Sequence, residues 1–239
     1  MIALSKRMQA LANLVSPCKT FCDVGTDHGF LPIYLVQAGV CENAIAMDLR
    51  MGPLDRAKKH IQECNLSDSI ETRLSDGVQK LGIREAESVL IAGMGGSVTI
   101  HILTEGLEVC KNLKELILQP QSEIDEVRKF VFDQGFLLLS EDMVEEDGKF
   151  YPMMKLVHRS QLPDEKVSGL KVDLYSEAEL LYGPLLLKMQ HPVLKEFLKK
   201  EMKREEKILL NLPDIDEDRI TERRKIVENK IHMIHELLK

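Results

Sequence analysis

The chain of 239 residues has no tryptophan, and Phe, Trp and Tyr together make up only 5% of it. No run of 18 apolar residues occurs, so no segment reads as a membrane-spanning helix. The five cysteines, at 18, 22, 41, 64 and 110, form no CxxC pair and leave one over. They fit reduced thiols rather than a disulfide framework, and no His–Cys spacing repeats a zinc finger or ribbon, so no metal is expected. The first residues, Met1 to Met8, lack the charged-then-apolar order of a secretion leader, and the expectation is a cytoplasmic protein. The net charge of −7 argues weakly against a polynucleotide partner. That charge is uneven. Residues 188–239 carry 13 Lys plus Arg against 11 Asp plus Glu, leaving the deficit to the preceding part of the chain.

What is present is alternation. Residues 3–14 look helical, and Pro17 ends that segment. Apolar runs then alternate with helical patterns. The strand candidates are 20–24, 44–48, 69–73, 88–92 and 115–119; the helix candidates are 30–38, 53–64, 98–107 and 122–134. Such an order calls for an α/β fold, a parallel sheet covered by helices. Runs such as Val89-Leu-Ile-Ala92 suit strands buried on both faces. No helix fits between Phe136–Val144 and Lys149–His158, which flank the polar turn Glu145-Glu-Asp-Gly148. These two runs are expected to pair as a terminal antiparallel hairpin at the sheet edge. Ordinary nicotinamide-binding domains do not need such a hairpin; Rossmann-like, seven-stranded class I methyltransferases have one.

A helical extension is expected over 161–239, following a first domain of 1–160. Pro192 suits a first helical turn, and Pro213 stops the helix it opens. Leu194, Leu198, Met202 and Leu209 mark its apolar side; Lys195, Lys199, Lys203 and Lys207 make one basic stripe, a partner face or simply a solvated one. Beyond Asp214–Asp218, a second helix spaces Ile220, Val227, Ile231, Ile234 and Leu238 for a packing seam, suggesting a coiled-coil-like pair.

The chemistry gathers at predicted strand ends, where ligands of open α/β sheets collect. Asp23 ends the first strand and suits the aminoacid end of S-adenosylmethionine. Gly25-Thr26-Asp27-His28-Gly29 then turns into a helix, with Gly25 freeing the backbone and Gly29 allowing close approach. The spacing departs from G-x-G-x-x-G, and Asp27 adds negative charge where a diphosphate would lie, which argues against NAD and FAD. A tight structural turn is the plainer alternative. Asp48 ends the second strand and suits the ribose hydroxyls, with Leu49 beside the adenine. Ser75-Asp76-Gly77 follows the third strand; Asp76 can accept from the adenine amino group, or the segment is a simple Asp-Gly turn.

Gly93-Met94-Gly95-Gly96 removes side chains from the fourth strand's end, so that a flat base could approach the methyl group. Asp27 and His28 form a compact acid–His pair, suited to proton handling or, equally, to capping the next helix. Gln119, Pro120 and Gln121 close the fifth strand and can meet a base edge. Tyr151 can stack on a base. Met153 and Met154 read as core.

Asp23-Val-Gly-Thr-Asp-His-Gly-Phe-Leu-Pro32, Arg73-Leu-Ser-Asp-Gly77, Ile91-Ala-Gly-Met-Gly-Gly96 and Leu116-Ile-Leu-Gln-Pro-Gln121 resemble blocks of the bacterial tRNA (adenine-22-N1)-methyltransferase family. The ordered blocks span most of residues 1–160, and the helical tail from Leu181-Tyr-Gly-Pro184 also looks similar. The resemblance implies a class I methyltransferase using S-adenosylmethionine, a tRNA partner and a helical extension that assists tRNA binding. It carries cofactor roles to Asp23, Gly25, Asp48, Asp76 and the loop from Gly93, with Asp27, His28 and Gln119 near the target adenine. It makes Lys6 and Arg7 of the first helix phosphate contacts. The competing expectations are a methyltransferase for another RNA base or small heterocycle, and a non-catalytic cofactor-sensing module that docks a protein.

Overall fold

The computed structural model describes residues 2–167, 175–213 and 218–239. Its helices are α1 (Lys6–Leu14), α2 (Phe30–Gln37), α3 (Met51–Glu63), α4 (Gly96–Glu105), α5 (Leu107–Lys111), α6 (Ile124–Asp133), α7 (Asp164–Val167), α8 (Glu177–Tyr182), α9 (Pro184–Lys188), α10 (Pro192–Asn211) and α11 (Asp218–Leu237). Its strands are β1 (Cys18–Val24), β2 (Cys41–Asp48), β3 (Ile70–Leu74), β4 (Ser88–Met94), β5 (Glu115–Pro120), β6 (Phe136–Glu146) and β7 (Lys149–His158). The chain forms two compact units, Met1–Tyr175 and Ser176–Lys239. The expected division at 160/161 falls earlier. The Tyr175 ring stacks on Phe132 of α6 at 4.1 Å between centroids, which keeps it with the first unit.

The first unit holds a seven-stranded sheet in the order β3-β2-β1-β4-β5-β7-β6. The first five strands are parallel, and β7 inserts antiparallel between β5 and β6. This is the Rossmann-like class I methyltransferase sheet. Every residue of β5 is buried, as are Ser88–Ile91 of β4, in keeping with helical layers on both faces. Met153 and Met154 are fully buried. The order reverses between β1 and β4, so the loops after these strands open a crevice at their carboxyl ends.

The N-terminal helix is fastened at both ends. Ser5 caps α1 by accepting from the Met8 N–H. Glu146 of β6 accepts from the Arg7 N–H at 3.0 Å and from Ser5 Oγ at 3.2 Å. At the other end, Glu115 accepts from the Ser16 N–H at 2.9 Å, and Lys155 pairs with Glu115 at 2.6 Å while donating to the Leu14 carbonyl at 2.9 Å. These ties, all but the exposed Ser5–Glu146 bond at least half-buried, hold α1 as a wall beside the crevice.

In the second unit, Pro192 opens α10 and the helix ends at Asn211, before Pro213. The turn expected before Asp218 lies, at residues 214–217, outside the described residues. Leu194 and Leu198 of α10 and Val227 and Ile234 of α11 are buried as their spacing requires. The seam is not purely apolar. Glu201 and Glu205 are buried on α10, where Lys230 of α11 pairs with them at 2.9 and 3.2 Å and Arg204 at 3.2 and 3.1 Å. Met202 and Leu209 are only half-buried. Among the described residues, no helix is long and apolar enough to cross a membrane.

Candidate active site

At the carboxyl ends of β1 and β4 lies a cavity of about 310 Å³, whose walls include Arg7, Asp23, Thr26, Asp27, Gly93 and Gln121. Burial pushes the Asp23 carboxyl up to about 6; the Thr26 hydroxyl opposes that rise, the charge of Asp48 adds to it, and the guanidinium of Arg7 opposes it from across the cavity. The Gly25 and Thr26 N–H groups both donate to the Met47 carbonyl at 2.8 Å, which binds the turn to β2. Gly25 has φ +82°, and a Cβ there would collide with Cε of Met94, so glycine lets the thioether lie across the turn. Gly29 has φ +68° where α2 begins, and a Cβ would stand 3.2 Å from that of Ala57.

Asp48 sits at the end of β2, in register with Leu74 of β3. Its Oδ1 accepts from the Arg50 N–H at 2.7 Å, leaving Oδ2 for a ligand. Beside it, Leu49 is 63% exposed, and Met51 and Leu74 are also exposed, an apolar rim at the two strand ends. Asp76 is exposed, whereas the Ser75 hydroxyl is spent inside its own loop, donating to the Gly77 carbonyl at 2.9 Å and accepting from the Lys80 N–H at 3.1 Å. Gly77 has φ +52° and gives room to Ile102. Ser75 and Gly77 therefore shape the loop.

The glycines after β4 divide their work. The β4–β5 register shifts between Ala92 and Met94, and Gly93, at φ +78°, bulges into the cavity with its backbone bare. Gly95 and Gly96 do not do this. A Cβ on Gly96 would stand 2.6 Å from the Ser122 carbonyl oxygen and from Glu123 Cβ, and one on Gly95 3.2 Å from Ser122 Oγ. They let the loop before α6 cap α4: Ser122 Oγ accepts from the Gly96 N–H at 3.2 Å and Glu123 from the Ser97 N–H at 2.8 Å. The expectation that Gly96 clears a path for a base is corrected on this ground.

Gln119 is also corrected. It is only 1% exposed, its Oε1 accepts from Arg7 Nη1 at 2.9 Å, and its Nε2 donates to the Pro120 carbonyl at 3.3 Å. Pro120 is buried as well. Tyr151 is taken up by the same cation, whose guanidinium carbon lies 5.3 Å from the ring centroid. Arg7 thus points into the cavity, clamped by Gln119 and Tyr151, and is no outward phosphate contact; Lys6 is exposed. Gln121, past the strand end, is the glutamine that reaches the cavity.

Asp27 and His28 line the cavity but lean on α3. Arg56 donates to Asp27 Oδ1 and holds that carboxyl below the usual range, while His28 Nε2 lies 3.2 Å from Oδ2. His28, Phe30 and His60 form a triangle of ring contacts, with His28 5.1 Å from Phe30 and 5.5 Å from His60, and those two rings 4.9 Å apart. Neither residue caps α2, whose N-cap is Gly29. Among the described residues, no cluster of His, Cys, Asp and Glu side chains could hold a metal.

The site fits S-adenosylmethionine on its own chemistry: a desolvated carboxylate for an ammonium, a second carboxylate with an oxygen left over for a diol, and an apolar rim for a base. Fold and site together define a class I S-adenosylmethionine-dependent methyltransferase. The family model described as a methyltransferase domain matches residues 4–154. The tRNA (adenine(22)-N(1))-methyltransferase of Bacillus subtilis (strain 168) is 34% identical over 83% of this chain and 80% of its own length. The crystal structure of the B. subtilis M1A22 tRNA methyltransferase TrmK superposes with a TM-score of 0.86 at 27% identity, covering all of both chains. That of Streptococcus pneumoniae Sp1610 in complex with S-adenosyl-L-methionine has a TM-score of 0.85 at 32% identity, covering 99% of this chain and 100% of that one. The chain belongs to the bacterial tRNA (adenine-22-N1)-methyltransferase family.

Proposed function

We propose that this protein transfers a methyl group from S-adenosylmethionine to N1 of adenosine 22 in tRNA. The observation that carries this reading is one cavity lined together by the Asp23 carboxylate, by Arg7 and Gln121, and by the bare backbone of Gly93. Asp23 takes the ammonium, Asp48 the ribose hydroxyls and Asp76 the adenine amino group of the cofactor, while Leu49 packs against its ring. When bound, the cofactor would supply an electrophilic methyl on a sulfonium; the lone pair of adenine N1 would form the new N–C bond in line as the S–C bond breaks, leaving S-adenosylhomocysteine and a cationic N1-methyladenosine. N1 is unprotonated at neutral pH, so no side chain need take a proton first and no covalent enzyme intermediate forms. Positioning and fixed charge supply the catalysis. N1 lies on the Watson–Crick edge, so the base must leave its pair before it enters the cavity.

The test is incubation with methyl-labelled cofactor and unmodified tRNA, followed by nucleoside mapping. Label is expected as N1-methyladenosine at position 22 and is expected to vanish from a tRNA carrying guanosine there. Label on another base would leave the reaction class and reject the substrate.

The lysine stripe supports a macromolecular substrate. Lys199 and Lys203 are exposed on α10, while Lys195 is half-buried and donates to Gln190 Oε1 at 3.0 Å. Lys199→Glu with Lys203→Glu is expected to weaken tRNA binding about tenfold at low salt, and less as salt rises. An unchanged dissociation constant in a filter-binding titration would remove the stripe from the interface.

A further inference from the structure

Over Gly93 two side chains converge. Arg7 Nη1 and Gln121 Nε2 lie 3.6 and 3.8 Å from where a Cβ on that glycine would stand. They are not equivalent. The guanidinium is already committed to Gln119 and Tyr151. Gln121 is anchored through its backbone, whose N–H donates to the Met94 carbonyl at 2.8 Å. Its carboxamide is exposed to the cavity and makes no hydrogen bond among the described residues. A neutral group that both donates and accepts is thus held beside a bare patch of backbone, facing the same cavity as Asp23.

On the functional reading above, we propose that Gln121 is the residue that selects adenine, by pairing with N6 and N7 of the base. The amide oxygen accepts from the N6 amino group and the amide N–H donates to N7, the two-point match that a carboxamide makes to adenine. This pairing leaves N1 free for the methyl group. Guanine presents two acceptors, O6 and N7, along the same edge, so the amide oxygen would face a carbonyl and lose its bond. Gln119 has the same chemistry but neither the exposure nor a free oxygen. Arg7 can only donate, and so cannot make the match alone.

The test uses full-length tRNA carrying 7-deazaadenosine at position 22, which replaces N7 by C–H and leaves the N1 lone pair in place. Methyl transfer under kcat/KM conditions is measured for the wild-type protein and for Gln121→Ala on both tRNAs. Wild type is expected to lose about tenfold on the 7-deaza substrate, the effect of one amide donor left without its acceptor. Gln121→Ala is expected to be about 10- to 100-fold slower on natural tRNA, yet indifferent to the N7 deletion, and to bind S-adenosylmethionine as wild type does. A merely structural role would slow the variant without abolishing its sensitivity to N7. The proposal is overturned if wild type treats the two tRNAs alike, or if Gln121→Ala still loses tenfold on the 7-deaza substrate. Failure of the wild-type protein to label natural tRNA at position 22 would instead strike the functional reading itself.

Discussion

Asp23→Asn is expected to stabilise the ligand-free protein and to abolish its binding of S-adenosylmethionine. The carboxyl at the end of β1 is pushed up to about 6 by burial, with the charge of Asp48 adding to the rise. A raised acid binds its proton more tightly in the folded chain than in the unfolded one. Stability therefore falls as pH rises from the unfolded value near 3.8 to about 6, and the full penalty applies above that. At pH 7.5 the penalty is on the order of 1–3 kcal/mol, allowing for the opening of the cavity to solvent. Asparagine carries no such charge. Urea unfolding at pH 7.5 should show the variant more stable by that amount, and about half of the difference should remain at pH 5.

The cost in the empty site is what the ligand relieves. An ammonium beside the carboxylate restores its counter-charge, so affinity should depend on the ionised form. Calorimetric titration of the wild-type protein should show binding weaken by roughly tenfold per pH unit below about 6. The asparagine variant should bind at least 100-fold more weakly at pH 7.5, since a charge-assisted contact is lost from a desolvated site. Wild-type-like affinity in the variant, or a flat profile between pH 7.5 and 5, would take Asp23 out of the cofactor site.

Which features could be read from the chain follows from how local their causes are. The strand β4 announces itself because both of its faces are buried, so no polar residue interrupts Val89–Ile91. The hairpin of β6 and β7 is legible because the short polar segment between the two runs leaves no length for a crossover helix; pairing continues to Glu146 and Lys149, so only Asp147 and Gly148 make the turn. Asp23 and Asp48 are visible as acids closing apolar runs. Gly96, by contrast, is glycine because of Ser122 and Glu123, which lie far along the chain, and no spacing reveals that. Gln119 and Gln121 look alike in sequence. The strand ends at Pro120, so one is sealed into the sheet and the other is turned to the cavity. Glu201 and Glu205 belong by pattern to a solvated helix face, and Lys230 of a different helix draws them inside. The inward place of Arg7 does have a local signal. Arg7 stands four residues before Leu11, so the two share a helix face, and both line the cavity.

Arg7→Ala is expected to lower methyl transfer about 100-fold while leaving the fold intact, because the guanidinium serves the site from two sides. Toward the cofactor, its charge holds the Asp23 carboxyl down against burial and Asp48. Without it the midpoint for cofactor binding should move upward from about 6, toward neutral pH. Toward the base, it fills the space between Gln119 and Tyr151 and closes the wall beside Gln121. Arg7→Lys separates these roles. The ammonium keeps the charge, so the pH midpoint should return close to that of wild type. It has no planar fork to satisfy Gln119 while lying on the Tyr151 ring, so the transfer rate should stay at least tenfold down. Single-turnover transfer and cofactor titrations across pH 5–8 measure the two quantities independently. A lysine variant that recovers both would reduce Arg7 to a point charge. A wild-type rate in the alanine variant would mean that the wall it forms never meets the base.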